Sequence, residues 1–261
     1  MSKRRLIPKL QLKTSSYNTN KLVLVNTKQF NEVIEIGDPV SQAKIFQDQA
    51  ADELIFIDLD QTLHHSDGLL KVIRSVSEEI FMPMTVGGGV TSLDDFKMLL
   101  ANGADKISIN SQAVKNKTLI TEASLIFGAQ CVVVSIDIKK NNSGKFTVFI
   151  DKGKTDTRLD PVEWAVECER LGAGEILLTS IDADGMREGM ETTICKQVSD
   201  KVNIPVVLSG GCGRTHHFID AFKDGHADAV AAGTFFSMKD ENFMQTRAQI
   251  KNSGINIRVH T

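Results

Sequence analysis

Short apolar runs alternate along the chain with longer segments whose apolar positions fall at helical spacing. A strand is predicted at 106–110, and the runs at 54–58, 131–136 and 176–180 are apolar at nearly consecutive positions rather than at every second one. That pattern suits strands covered on both faces, as in a parallel sheet wrapped by helices. Further strands are predicted at 6–12, 83–86, 205–208 and 227–231, with helices between them. Asp38 before Pro39 and Asp160 before Pro161 are N-cap and first-turn pairs. Thr91 or Ser92 caps the helix after the third strand, and the last helix closes near Lys251. Two stretches break the alternation. A polar segment at 14–20 and an extended run at 22–25 form a long, partly hairpin-like loop after the first strand. The alternating residues 145–150 read as a hairpin inserted after the fifth strand.

The pattern repeats. Pro83 and Pro205, Glu53 and Glu175, Asp60 and Asp182, and Gly103 and Gly225 are all separated by one offset, 122 residues (205 less 83 for the prolines). An offset of nearly half the chain implies two similar halves. Each half reads strand–helix–strand–helix, so the fold predicted is a (βα)8 TIM barrel built from two half-barrels, with extra extended segments after strands one and five. The length of 261 residues fits one such domain spanning 1–261, since barrels of this kind run to about 250 residues. Each half also carries a glycine turn between strand and helix: Gly87, Gly88 and Gly89 in the first, Gly210 and Gly211 in the second. Glycines there let backbone N–H groups approach an anion, which a helix N-terminus also favours. Two such turns at matched positions point to a ligand with two phosphates.

Composition narrows the picture by exclusion. Thirty basic residues against thirty-three acidic ones give a net charge of −3 and no basic block, so nucleic acid is not an expected partner. Cys131, Cys168, Cys195 and Cys212 lie far apart without metal-type spacing, and read as reduced thiols. The start of the chain, residues 1–8, is basic but has no long apolar core, and no run approaches the ~20 residues needed to cross a bilayer. A soluble, cytoplasmic protein without membrane contact, metal or cofactor is expected.

Active sites of such barrels lie at the C-terminal strand ends. The register places Gln11, Asp58, Asn110, Ser111, Asp137, Thr179, Asp182 and Asp184 there. Asp137 ends an apolar run, and a carboxylate in a partly desolvated mouth is a candidate general acid or base. It reads equally well as the cap of the next turn, and Asp182 and Asp184 read equally as turn residues. At the opposite end, Arg5, Glu53, Lys106 and Glu175 precede four strands. They form either a neutral ring gating the barrel axis or a set of charges solvating strand starts.

Several segments resemble a known family, the cyclase subunit of imidazole glycerol phosphate synthase. They are residues 37–39, 51–54, 85–89, 103–111 and 172–182, and the resemblance runs through essentially the whole chain. It implies a barrel docked on a glutaminase subunit as a heterodimer. Ammonia passes through the barrel to a bis-phosphorylated ribulosyl-formimino carboxamide ribotide, giving imidazole glycerol phosphate and aminoimidazole carboxamide ribotide. By position, Asp137 matches one of two catalytic aspartates. Gly88, Gly89, Asn110 and Ser111 match one phosphate cradle, and Asp184, Gly185, Gly210, Gly211, Ala232 and Gly233 the other. Thr179 and Asp182 fall in the substrate site, and Arg5, Glu53, Lys106 and Glu175 match a gate for ammonia.

The chain also departs from that pattern. The family's second catalytic aspartate is replaced by Gln11, which cannot exchange a proton near neutral pH. Residues 14–21 replace a glycine- and lysine-bearing loop, with Lys21 only loosely matching its lysine, and Met186 and Gly233 stand where hydroxyls are usual. Such a pattern resembles paralogues found with surface-polysaccharide genes, lipopolysaccharide O-antigen included. In those, a cyclase-like barrel passes ammonia from a glutaminase to a sugar amidotransferase. A sister phosphate-binding isomerase is a third reading, but it too relies on the aspartate that Gln11 replaces.

Overall fold

The computed structural model describes residues 3–19, 21–141, 143–238 and 242–259. Met1 and Ser2 of the basic start, and Asn20 of the polar stretch, lie outside them. The first strand, β1 (Arg5–Thr14), continues past its barrel portion into an antiparallel arm with β2 (Leu22–Lys28) and β3 (Glu32–Gly37). Helix α1 (Pro39–Asp48) follows, with the Asp38 carboxylate accepting from the Ser41 N–H. Then come β4 (Leu54–Asp58), α2 (Gly68–Ser77), β5 (Met84–Gly87) and α3 (Leu93–Ala101). Of the two caps considered for α3, Ser92 is the one used, in a reciprocal box with Asp95. Next are β6 (Lys106–Ile109), the short α4 (Ser111–Lys115) and α5 (Thr118–Phe127).

The second half opens with β7 (Val132–Lys140), which also leaves the barrel to pair with β8 (Phe146–Ile150) and β9 (Thr155–Asp156). After α6 (Pro161–Leu171) come β10 (Glu175–Ser180), α7 (Thr192–Ser199), β11 (Val206–Ser209) and α8 (Thr215–Lys223). The chain ends through β12 (Ala229–Ala232), α9 (Thr234–Met238) and α10 (Phe243–Asn252). Parallel pairing runs β1–β4–β5–β6–β7–β10–β11–β12 and back to β1, which closes an eight-stranded barrel. The two extra extended segments are the two arms.

Side chains that point outward from the strands pack under the helices, and Phe46, Phe56, Phe96 and Phe218 are fully buried there. Inward-pointing side chains form a separate small core of Ile7, Ile55, Val133, Leu177, Val207 and Ala229. Because side chains alternate along a strand, the inner face can be read in levels. On β1 it carries Arg5, Ile7, Lys9 and Gln11; on β10, Glu175, Leu177 and Thr179; on β7, Val133, Ser135 and Asp137. The tube is therefore charged at its base, apolar in its middle and polar toward its mouth.

The duplication is visible in packing as well as in spacing. A Cβ on Gly88 (φ +107°) would lie 2.2 Å from the carbonyl oxygen of Asp58, and one on Gly210 (φ +94°) 2.6 Å from that of Ser180. Asp58 and Ser180 share the same offset as the glycines. At both corners the turn presses against the end of the preceding barrel strand, so no side chain fits. Gly88→Ala and Gly210→Ala should each lower the unfolding free energy by about 2–4 kcal/mol, combining left-handed strain with displaced backbone. Gly144→Ala, at φ +78° with nothing within 4 Å of its Cβ, should cost only about 1–2 kcal/mol. Urea titrations of the three variants compare strain alone with strain plus clash.

Candidate active site

The base of the tube holds the four predicted charges in one ring. Arg5 donates to Glu53 at 2.5 Å and to Glu175 at 2.6 Å, and Lys106 reaches both carboxylates at 2.9 Å. Each anion meets both cations and each cation both anions. Burial alone would push the Glu53 carboxyl up, but Arg5 and then Lys106 hold it below its usual range. Burial likewise opposes the Arg5 charge, and Glu175 with Glu53 overcomes it. Of the two readings of these charges, mutual neutralisation on the axis is the one observed.

At the mouth, the sequence places Asp137 at a strand end, but β7 runs on through Lys140. Asp137 sits where the strand starts to pair with the arm, opposite Phe149, while still paired with Thr179 of the barrel. Its carboxylate caps no turn. It accepts from the Asn110 side chain at 2.8 Å and from the Ser135 hydroxyl at 3.4 Å. The residue is half-buried because its outer edge faces the mouth, yet protein surrounds the carboxylate closely. Burial pushes it up to about 6, against the opposing pull of Lys9 and its two side-chain partners.

Gln11 holds the equivalent place in the first half, at the residue where β1 begins to pair with its own arm. It is buried, with its side-chain oxygen 3.0 Å from the Thr27 hydroxyl, which is also 2.6 Å from Asp184. Thr27 has one hydroxyl hydrogen, and the shorter contact to the carboxylate holds it. The Gln11 contact is then satisfied by turning the amide so that its nitrogen donates to Thr27. Burial raises Asp184 as well, opposed first by Lys9 and then by Thr27.

Lys9 and Ser209 were not singled out from the sequence. Lys9 is buried inside the tube, and its ammonium lies 3.3 Å from the Thr179 hydroxyl and 3.4 Å from that of Ser209. Its side chain passes from β1 across β12, whose inward residues there are the small Ala229 and Ala231, to β11 and β10. Lys9 also shares a cleft with Gln11, Asp184, Gly210, Gly211, Ala232 and Gly233. The signal was present: Lys9 has the same parity along the strand as Arg5 and Gln11, both of which the sequence offered as site residues.

The remaining predicted residues divide by position. Gly185 and Asp184 lie under the first arm, where Gln29 donates its backbone N–H to the Asp184 carbonyl. Ser111 is partly taken up by the other arm, its hydroxyl accepting from the Asp151 N–H at 2.9 Å. Near it, the Gly89 carbonyl is 2.9 Å from the ring nitrogen Nε2 of His64. Asp182 braces the second arm, accepting from the Lys140 N–H at 2.9 Å, as Asp60 does for Thr14 in the first half. Asp58 is likewise a turn residue, taking the Asp60 and Thr62 N–H groups. Lys21 lies on the surface, 3.6 Å from Asp38. Among the described residues no helix is long and apolar enough to cross a membrane.

Comparison with known proteins gives four concordant results. The histidine biosynthesis protein family matches residues 5–241. A protein of Prochlorococcus marinus (strain MIT 9313), provisionally named imidazole glycerol phosphate synthase subunit hisF2, is 47% identical over 260 residues, 99% of each chain. Imidazole glycerol phosphate synthase subunit HisF of Methanococcus vannielii is 40% identical, covering 99% of this chain and 100% of its own. That of Clostridium botulinum (strain Okra / Type B1) is 44% identical over 237 residues, 90% of this chain and 94% of its own.

The raised Asp137 carboxyl gives a stability prediction whose sign is opposite to that of a salt-bridged aspartate. Unfolded, it ionises near ~3.9; folded, near about 6. The folded chain thus holds this proton more tightly, and the contribution is fully present below the unfolded value and lost as pH rises through the folded one. Between pH ~4 and ~6 the loss should come to about 2 kcal/mol. Unfolding free energies across that window should fall less steeply for Asp137→Asn than for the unaltered chain.

Proposed function

The chain belongs to the histidine biosynthesis protein family, among the HisF subunits of imidazole glycerol phosphate synthase, and from that premise we propose that it is a lyase–cyclase acting with ammonia. The substrate is a bis-phosphorylated ribulosyl-formimino carboxamide ribotide, and the products are imidazole glycerol phosphate and aminoimidazole carboxamide ribotide. One observation carries the reading: the two symmetry-related glycine corners and the Asp137 carboxylate belong to the same, C-terminal end of one closed tube. A ligand phosphorylated at both extremities then lies across the mouth with its middle at Asp137.

The parts have distinct tasks. Backbone N–H groups of Gly88 and Gly89, with Asn110 and Ser111, hold one phosphate; those of Gly210 and Gly211, with Gly185, Ala232 and Gly233, hold the other. Asp137 takes and returns the proton that moves when ammonia adds and water leaves, with Asn110 fixing its orientation. Thr179 lies at the same level of the tube. Ammonia enters from below, through the ring of Arg5, Glu53, Lys106 and Glu175. A glutaminase subunit supplies it by docking on the base, where the exposed Phe81 and Leu125 lie at the strand-entry end.

Gln11 favours a second reading. With no proton to exchange at that position, the barrel would serve as a conduit, activating a glutaminase and passing ammonia to a sugar amidotransferase of surface-polysaccharide synthesis. Purified chain, the bis-phosphorylated substrate and ammonium salt at alkaline pH distinguish the two. The cyclase reading expects slow product formation, and Gln11→Asp should raise kcat by about 10²-fold or more, the range of general acid–base assistance. Folded protein without turnover in either form would leave the conduit reading, which in turn requires a glutaminase to co-purify with the tagged chain.

A further inference from the structure

A buried lysine on the axis of a barrel is costly unless its charge is used. Among the described residues the Lys9 ammonium has two long contacts, to the hydroxyls of Thr179 and Ser209. Among the described residues no carboxylate lies within salt-bridge distance of it, although the fields of Asp137 and Asp184 both reach it. Beneath it lies the apolar girdle of Ile7, Ile55, Val133, Leu177 and Val207. Above it, the cleft opens toward Gln11 and the second glycine corner. Thr179 pairs in register with Asp137 on one side and Ser209 on the other, so the ammonium is held at the level of that carboxylate. A cation held this way, half-satisfied and facing a cleft, is poised for an oxygen that becomes negative.

Resting on the cyclase reading above, we infer that Lys9 is a catalytic residue of this chain, an ammonium that stabilises and protonates the substrate oxygen when ammonia adds to the ketose carbonyl. The lone pair of ammonia forms the C–N bond, and the carbonyl π pair moves onto oxygen. Lys9 gives that oxygen one proton, and Asp137 takes one from the newly bonded nitrogen. The adduct is a neutral amino alcohol, with Lys9 left as an amine and Asp137 as an acid. Passage of a proton from Asp137 to Lys9 restores both. Position 11 needs no carboxylate in this scheme, because the second proton carrier stands two residues earlier on the same face of β1.

Lys9→Met keeps the stem and removes the charge. The test is ammonium-driven turnover of the unaltered chain and this variant, beside thermal melting of both. Removing one donor to a developing oxyanion costs about 10²–10³-fold in kcat, so a fall of that size is expected with KM changed by less than about threefold. The melting temperature should rise, because an incompletely paired buried charge has gone. A residue with a purely structural role would instead lose stability and activity together. Should Lys9→Met fail to fold, Lys9→Gln gives the same comparison.

A kcat within about threefold of the unaltered chain, or a change confined to KM, overturns the inference and leaves the cyclase reading standing. If the unaltered chain binds the bis-phosphorylated substrate by calorimetry yet forms no product, the cyclase reading itself falls, and the role of Lys9 with it.

Discussion

An inward-pointing side chain in a closed parallel barrel loses water on every side. Any charge placed there must find its partner among the other inward positions. Two solutions to that constraint operate in this tube. At the base the charges are complete, two cations and two anions alternating so that every one is shared. Nearer the mouth they are incomplete. Lys9, Asp137 and Asp184 influence one another without a direct ion pair, and the two carboxylates titrate high as a result of burial. The satisfied layer can hold the barrel closed indefinitely. The unsatisfied layer gains its missing contacts only from something that enters the cleft, which is why chemistry belongs at that end.

The arms supply the second half of the design. Each barrel half sends its first strand beyond the sheet, and each arm comes back to a loop of the opposite half. The tip of the β2–β3 arm meets Asp184, and the end of the β8–β9 arm meets Ser111. Gln11 and Asp137 occupy the bases of these arms, at the change from barrel pairing to arm pairing. A side chain at such a junction is anchored by two ladders and still faces the mouth. Positional precision there comes from the backbone rather than from many side-chain contacts, which at Asp137 holds the carboxylate in place whatever its charge.

The barrel and its duplication were legible because both rest on local patterns. Consecutive apolar runs such as 54–57 can only be strands covered on both faces, and the matched positions of Gly88 and Gly210 reflect a steric demand that recurs with the fold. The ring was legible as composition at strand entries, although sequence alone could not distinguish pairing from solvation; only the bonds of Arg5 and Lys106 do so. The functions of individual aspartates were much less legible. Asp58, Asp60, Asp137, Asp182 and Asp184 all follow or end apolar runs, yet three of them hold turns or arms, Asp184 lines the cleft and Asp137 bonds the Asn110 side chain. What separates them is the direction of the side chain where β7 leaves the barrel and in the loop after β10, and that depends on the arms, which pair and touch across long sequence distances. Lys9 was less legible for a simpler reason: its place on the inner face shows only when parity is counted along the strand from Arg5.

The residues at positions 9 and 11 are best understood together. They sit on one face of one strand, two residues apart, so their side chains share the same volume of the tube. The amide at position 11 is taken up by the Thr27–Asp184 contact, while the ammonium of Lys9 reaches across to Thr179 and Ser209. The axial cation thus stands one level below the amide on the same strand face, directly above the apolar girdle.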